Sequence, residues 1–402
     1  IARTHHLSRR KTLEQMPTLI ADGLRGGIEF FDGQFDDARL AITLAQTVAD
    51  HNGAIANYVK VVSVLKRGAR INGVLVVDLE SHKEIELHAR VVINAGGIFS
   101  DNIRRLDDHA AETLLAPSQG AHIVLDKSFL PGDHALIIPR TADGRVLFAI
   151  PWHGRVLVGT TDTAVNETTL EPRPLPGEIE FLLEHAGQYL KKKPAASDVL
   201  SVFAGLRPLI KHPDDPRSAE LSRRHEVIVS PAGLVSPLGG KWTTCRMMAE
   251  DVVNRAVQVG ELRPKPCVTR QLRLHGWQQD TKTPKDPPSS ELRTPNSELL
   301  LHEYGSDATE LQGLCKNIGN DLLHPRLPYR AGQVHWALQR EMARTVEDVL
   351  SRRLRALLLD ARAAIETAPK VARIMAAGLG RDEAWEKNQV TQFQELAKGY
   401  CR

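Results

Sequence analysis

The chain has 402 residues, 42% of them apolar and 25% charged, with a net charge of +3. No run approaches the roughly 18 apolar residues a membrane-spanning helix needs, and a charge so near balance excludes wholesale nucleic-acid binding while leaving local basic patches free to meet a phosphate or an anionic head group. The length exceeds the roughly 250–300 residues at which one hydrophobic core stops growing, so two or more domains are expected.

Cys245, Cys267, Cys315 and Cys401 show no Cys-x-x-Cys pair and no histidine at metal spacing, which predicts no metal site and a reduced, cytosolic compartment. Ile1 is not an initiator methionine, and the basic stretch from Arg3 to Lys11 has no apolar segment behind it, so the start reads as a cut in a longer protein. Residues 36 to 52 predict a helix: Leu40, Leu44 and Val48 fall at i, i+4, i+8 behind an Asp36-Asp37 cap, and Asn52-Gly53 ends the pattern. Three β-rich runs follow, Val59 to Leu65, Gly73 to Asp78 and Glu84 to Asn94, broken by turn residues. They predict an antiparallel ribbon that leads into one buried strand over 89–94 and stops at Ala95-Gly96-Gly97.

Between Gly120 and Asp162 the runs Ala121 to Leu125, Ala135 to Pro139, Val146 to Ile150 and Val156 to Gly159 follow without a helix between them, predicting an antiparallel sheet. Helical spacing returns over 178–193. A strand at Glu226 to Ser230, the turn Pro231-Ala232-Gly233, and Gly239-Gly240-Lys241 opening a helix come next. Residues 278 to 297, with Pro284, Pro287, Pro288 and Pro295 among polar residues, read as a linker. Beyond it the spacing predicts helices over 296–302, 331–342 and 346–359, the last begun by a cap at Thr345 to Asp348.

Two glycine elements invite a ligand. Gly96-Gly97 after an apolar strand allows close backbone approach or simply a tight turn. Gly239-Gly240-Lys241-Trp242-Thr243-Thr244 before a helix offers free N–H groups and a positive charge to an anion or a reduced flavin; equally, Thr243 or Thr244 caps the helix and Lys241 is solvated. Arg207 lies in a short apolar segment where a guanidinium needs an anionic partner if buried. Arg223 and Arg224 would point to opposite faces of a strand, and His122 is a lone strand histidine open to a structural or a proton-transfer role.

The order of these segments resembles the FAD-dependent glycerol-3-phosphate dehydrogenases and the similar glycerol-3-phosphate oxidases over nearly the whole chain. The resemblance rests on Phe31 to Leu40, Asn94 to Asp101, Gly120 to Val124, Val158 to Asp162, Gly205 to Leu209, Gly239 to Thr244 and Arg344 to Arg353. It implies a fold that is α/β plus antiparallel sheet. A discontinuous FAD-binding domain (1–115 and 205–260), an antiparallel substrate domain (116–204), a linker (261–298) and a helical C-terminal domain (299–402) are expected. The implied reaction is oxidation of sn-glycerol 3-phosphate to dihydroxyacetone phosphate, with electrons passed to a quinone, peripheral contact with the inner membrane from the cytoplasm, and room for a homodimer.

By the same analogy FAD lies against Val59, Gly96, Gly97, Gly239, Gly240, Lys241 and Thr243. Arg207 and Arg223 clamp the substrate phosphate, because a guanidinium fork binds two oxygens at once. Lys241 stabilises the developing oxyanion or the reduced flavin, and His122 is the candidate base. The family's opening strand, Gly-x-Gly-x-x-Gly turn and helix are not found: Gly23 to Gly27 lacks the spacing. Cys245 and Ile98 stand where the family commonly has an aromatic residue and a proline. Three other readings remain open: an oxidase using oxygen, an inactive fragment unable to hold FAD, and an amino-acid oxidase, the last disfavoured by two arginines and a lysine.

Overall fold

The computed structural model describes residues 3–139, 141, 144–211, 225–278, 295–318 and 320–402. The chain opens with a hairpin of β1 (His5–Ser8) and β2 (Gly26–Glu29) around helix α1 (Arg9–Gln15). Helix α2 (Asp37–Asp50) starts where the Asp36 carboxylate accepts the Arg39 N–H at 2.8 Å, the cap the sequence predicts. The expected ribbon forms from β3 (Val59–Arg67), β4 (Arg70–Asp78) and β5 (Glu84–His88), all antiparallel.

The buried strand expected over 89–94 is shorter and more open than its sequence suggests. Only β6 (Val92–Ile93) forms, and Ile93 is 39% exposed, because β6 is the edge of its sheet and pairs in parallel with a single neighbour. Helix α3 (Ser100–Asp107) follows it.

The antiparallel sheet expected after Gly120 is the largest among the described residues. It comprises β7 (Leu115–Asp126), β8 (Leu136–Ile138), β9 (Leu147–Trp152), β10 (Arg155–Gly159), β11 (Thr163–Ala164) and, after helix α4 (Pro176–Gly187), β12 (Val199–Ile210). β12 pairs with β7 along its length to Ile210, past the expected division at residue 204. One sheet face is a dry core in which Ala121, Ile123, Leu125, Val156 and Val158, at alternate positions, meet Ile179 and Leu182 of α4. Leu13, Met16 and Leu19 join that same core. Helix α4 ends at Gly187 instead of continuing to 193, since Tyr189 and Leu190 turn back to pair with Leu19 and Ile20.

β13 (His225–Val229), β14 (Leu234–Gly239) and β6 make a second, mixed sheet, backed by helix α5 (Cys245–Val259) through Val235, Val252 and Ala256. Of the stretch 278–297 read as a linker, residues 279–294 lie outside the described residues, while 261–278 are described. Helices α6 (Pro295–Tyr304), α7 (Ala308–Ile318), α8 (Ala331–Arg340), α9 (Ala356–Leu359), α10 (Ala361–Leu379) and α11 (Glu383–Lys398) form the C-terminal region. Its core is rich in alanine, with Ala361, Ala363, Ala364, Ala368 and Ala372 of α10 fully buried, which lets the helices approach closely. The single helix expected over 346–359 is instead a π-helical turn (Asp348–Arg353) and the short α9, separated by Arg355 at φ 60°.

Candidate active site on the glycine-hollowed sheet face

The second face of the large sheet carries the polar groups. Ser118, Gly120 and His122 of β7 stand opposite Arg207, Gly205 and Phe203 of β12, and Gly159 of β10 is the other neighbour of His122. A Cβ on Gly159 would stand 2.6 Å from His122 Nε2 and nearer still to its Cδ2; one on Gly120 would stand 2.8 Å from the Arg207 Cζ and 2.6 Å from Thr160 Oγ1. The glycines are therefore hollows that let the imidazole and the guanidinium lie flat across neighbouring strands. A Cβ on Gly205, between them, would meet nothing within 4 Å, so the face is open there.

Arg207 gives Nη1 to Asp162 Oδ1 at 3.3 Å and Nη2 to Thr160 Oγ1 at 3.1 Å and the Thr161 carbonyl at 3.2 Å. Asp162 also accepts the Ser118 hydroxyl, and its carbonyl accepts Arg145 Nη1 at 2.9 Å. Among the described residues Asp162 is an anionic partner of Arg207, and a third of the arginine side chain still faces solvent. Thr160 and Asp162 carried no expected role; only the pairing of β7 with both β10 and β12 brings that strand end to Arg207.

His122 stacks on Phe203 with ring centres 5.1 Å apart, and Phe203 in turn touches Trp152. Its Nδ1 is buried with no hydrogen-bond partner. Burial, then the charge of Arg207, hold the imidazole down at about 4, with Asp37 pulling the other way, so the ring is neutral at physiological pH.

The glycine turns form a second cluster. β6 and β14 run parallel, Val92 opposite Leu234 and Ile93 opposite Val235, and each ends in a glycine turn, a 3₁₀ turn and a helix. Gly97 (φ 56°) and Gly239 (φ 65°) adopt the left-handed conformation that glycine takes without strain. Buried Asn94 fixes the first turn: Nδ2 donates to Ser100 O (3.0 Å) and Ser236 Oγ (3.2 Å), and Oδ1 accepts the Gly96 N–H. A Cβ at Gly240 would strike Met248 Cε at 2.5 Å, whereas one at Gly97 would meet open space.

Thr244 fastens the second turn, its Oγ1 donating to the Lys241 carbonyl at 3.0 Å, while Lys241 and Thr243 are exposed. β12, the strand of Arg207, packs against both Gly97–Phe99 and β14, and Ile210 meets Leu238 just before Gly239. The glycine turns and the arginine therefore share one neighbourhood. Val59 sits at the end of the ribbon beside Tyr58, whose hydroxyl donates to Asp348 Oδ2 at 2.8 Å in the C-terminal region. Arg223 lies outside the described residues.

A charged junction not foreseen from sequence lies beside this face. His153, in the β9–β10 turn, meets Asp36 through Nε2 and Glu303 through Nδ1, both at 3.2 Å. Arg355 grips Asp36 at 2.9 Å and also pairs with Asp37. Arg39 pairs with Glu341, and Arg353 donates to the Glu341 carbonyl at 2.7 Å and to Asp348 Oδ1 at 3.3 Å. Asp36, Asp37 and Arg39 thus meet Glu341, Arg353 and Arg355, about three hundred residues further along the chain.

The family model described as FAD dependent oxidoreductase matches residues 1–246, and that of the C-terminal domain of alpha-glycerophosphate oxidase matches residues 267–386. A mitochondrial glycerol-3-phosphate dehydrogenase of Arabidopsis thaliana is 36% identical over 98% of this chain and 66% of its own length. The human mitochondrial glycerol-3-phosphate dehydrogenase is 35% identical over 98% of this chain and 56% of its own. The chain thus spans between about half and two-thirds of the length of these curated relatives. A crystal structure of glycerol-3-phosphate dehydrogenase from Bacillus halodurans, complexed with FAD, superposes with a TM-score of 0.83 at 27% identity, covering 99% of this chain and 80% of that one.

Proposed function

The chain belongs to the family of FAD-dependent oxidoreductases, and on that premise we propose that it carries the substrate face for oxidation of sn-glycerol 3-phosphate to dihydroxyacetone phosphate, with electrons passed to a quinone. The observation that carries the reading is the set of an Arg207 one-third open to solvent and a neutral His122 on an open, glycine-hollowed face, next to two glycine turns at the ends of parallel strands. Ligands of parallel sheets bind outside the carboxyl ends of the strands, and the open space at Gly97 beside the start of a helix suits a flavin there. When bound, FAD supplies the acceptor for the hydride from C2.

The roles of this chain's own residues follow from their chemistry. Asp162 and the Thr160–Thr161 segment hold the Arg207 guanidinium before any substrate arrives, so little side-chain freedom is lost when it takes the phosphate. Arg223 joins it in the proposed clamp on the strength of the family resemblance. His122 accepts the C2 hydroxyl proton. At about 4, held down first by burial and then by Arg207, it is a weak base in the free site; a phosphate dianion docked on Arg207 offsets the second of these and raises its basicity. Lys241, exposed next to Gly239 and Gly240, brings a full positive charge to the oxygen as the proton leaves.

A quinone acceptor implies a peripheral contact with an inner membrane from the cytoplasmic side. Among the described residues no helix is long and apolar enough to cross one. The test is the visible spectrum of the purified chain with added FAD, followed by anaerobic glycerol 3-phosphate. The expected result is a protein-bound flavin spectrum that bleaches on substrate and recovers with a soluble quinone. Flavin that binds but stays oxidised would overturn the substrate assignment, and no flavin binding would overturn the reading that this chain holds the cofactor.

A further inference from the structure

Gly120, Gly159 and Gly205 share the open face of the large sheet, and the chain itself accounts for the first two. Gly159 makes room for the His122 ring and Gly120 for the Arg207 guanidinium, each closer than a Cβ would tolerate. Gly205 is placed differently. It stands on β12 directly opposite Gly120, with Phe203 and Arg207 two residues to either side on the same face, and it is exposed.

A glycine inside a strand weakens it, because it has the most backbone freedom to lose and no side chain to pack. A fold can require one there for several reasons, and none of them applies to Gly205. Its backbone lies outside the left-handed region. The pairing of β12 with β7 runs in register from Ser201 to Ile210, so no bulge falls at this position. A Cβ would meet nothing within 4 Å, so no other part of the described chain comes close. What remains is a ligand that approaches the backbone. We infer that Gly205 is the specificity-determining residue of the site, its bare backbone admitting the carbon chain of a phosphorylated alcohol into the notch between Phe203 and Arg207. The inference rests on the reading above, in which Arg207 holds the phosphate and His122 meets the C2 hydroxyl, since the carbon chain joining those groups then lies in this notch. A side chain at 205 would stand in its place.

The same lack of neighbours makes the position replaceable, so loss of affinity can be separated from loss of structure. Gly205→Ala, Gly205→Val and Gly205→Leu, loaded with FAD, are titrated calorimetrically with glycerol 3-phosphate, and flavin affinity and the unfolding midpoint are measured alongside. Affinity for glycerol 3-phosphate is expected to fall stepwise with side-chain size, by at least about tenfold at valine. Flavin affinity should be unchanged, and the midpoint should equal or exceed that of the wild type. Glycerol 3-phosphate that binds the wild type and the valine and leucine variants alike would overturn the inference and leave the substrate reading standing. Flavin affinity lost at an unchanged midpoint would also overturn it, assigning the notch to the cofactor, and a midpoint that falls with the affinity would make Gly205 a structural glycine. A wild-type chain that holds FAD but binds no glycerol 3-phosphate would overturn the substrate reading and the inference with it.

Discussion

Replacing His153 with glutamine measures how much the junction depends on a charged imidazole. Burial opposes the charge on this ring, but hydrogen bonds to Asp36 and Glu303 and the field of both carboxylates overcome it and push the ring up from 6.5 to about 9. The folded chain therefore binds this proton more tightly than the unfolded chain does. The stabilisation is fully present below about pH 6.5 and is lost as the pH rises through about 9. A shift of that size corresponds to ~3 kcal/mol at 1.36 kcal/mol per unit, and at 15% side-chain exposure solvent screening removes little of it. Urea unfolding of the wild type and His153→Gln across pH 6 to 9.5 reads it directly, because other titrating groups largely cancel in the difference. The gap between the two should narrow by about 2–3 kcal/mol from the acid to the alkaline end. A gap that stays constant with pH would refute the reasoning and leave His153 as a packing residue.

Arg207→Lys keeps the charge but loses the fork, so KM for glycerol 3-phosphate should rise by about 10- to 100-fold with a smaller change in kcat; steady-state kinetics with an unaltered KM would remove Arg207 from the phosphate clamp. Gly159→Ala places a methyl group where the His122 ring lies, against Phe203 stacking, so turnover should fall at least about tenfold and stability by about 1–3 kcal/mol. Flavin absorbance should be retained in that variant, and retained turnover would mean the ring takes no part. Asp348→Ala removes the acceptor for the Tyr58 hydroxyl, the Arg344 and Thr345 N–H groups and Arg353, and should lower stability by about 3 kcal/mol in thermal or urea unfolding.

Local signals carried much of this structure. The Asp36 cap, the ribbon between 59 and 88 and the alternation of Ala121, Ile123 and Leu125 all depend on neighbours within a few residues, and each formed as the spacing predicts. His122 and Arg207 were legible as residue types out of place, a polar ring on a strand and a guanidinium in an apolar segment. What made them one site was not legible, because the pairing of β7 with β10 and β12 joins residues as far apart in sequence as Leu115 and Ile210, about 95 positions. Asp162 has no local signature beyond its place after Gly159-Thr160-Thr161, and its role follows only from Arg207 lying across Gly120. The helix expected over 346–359 failed for a similar reason. Helical spacing continues through Arg355, but its pairing with Asp36 and Asp37, more than three hundred residues away, accompanies a break that no local pattern carries.

That break belongs to a wider pattern. Tyr58 (φ 57°), His153 (φ 45°), Met342 (φ 54°) and Arg355 (φ 60°) are non-glycine residues in the left-handed region, a conformation that costs about 1–2 kcal/mol each. All four stand where the C-terminal helices meet the rest of the chain, and each is tied across that boundary. Tyr58 bonds Asp348, His153 bonds Glu303, the Met342 carbonyl accepts Asn57 Nδ2 at 2.7 Å, and Arg355 holds Asp36. Strain kept in four places along one boundary, each offset by a polar contact, argues that the position of this boundary matters more than its stability. The rings give it a direct line to the site: His153 packs edge-on against Trp152 at 5.2 Å, Trp152 touches Phe203, and Phe203 stacks on His122. The C-terminal helices thus hold one end of the aromatic chain whose other end is the proposed base, and a shift at the junction would be felt first as a change in where that imidazole lies.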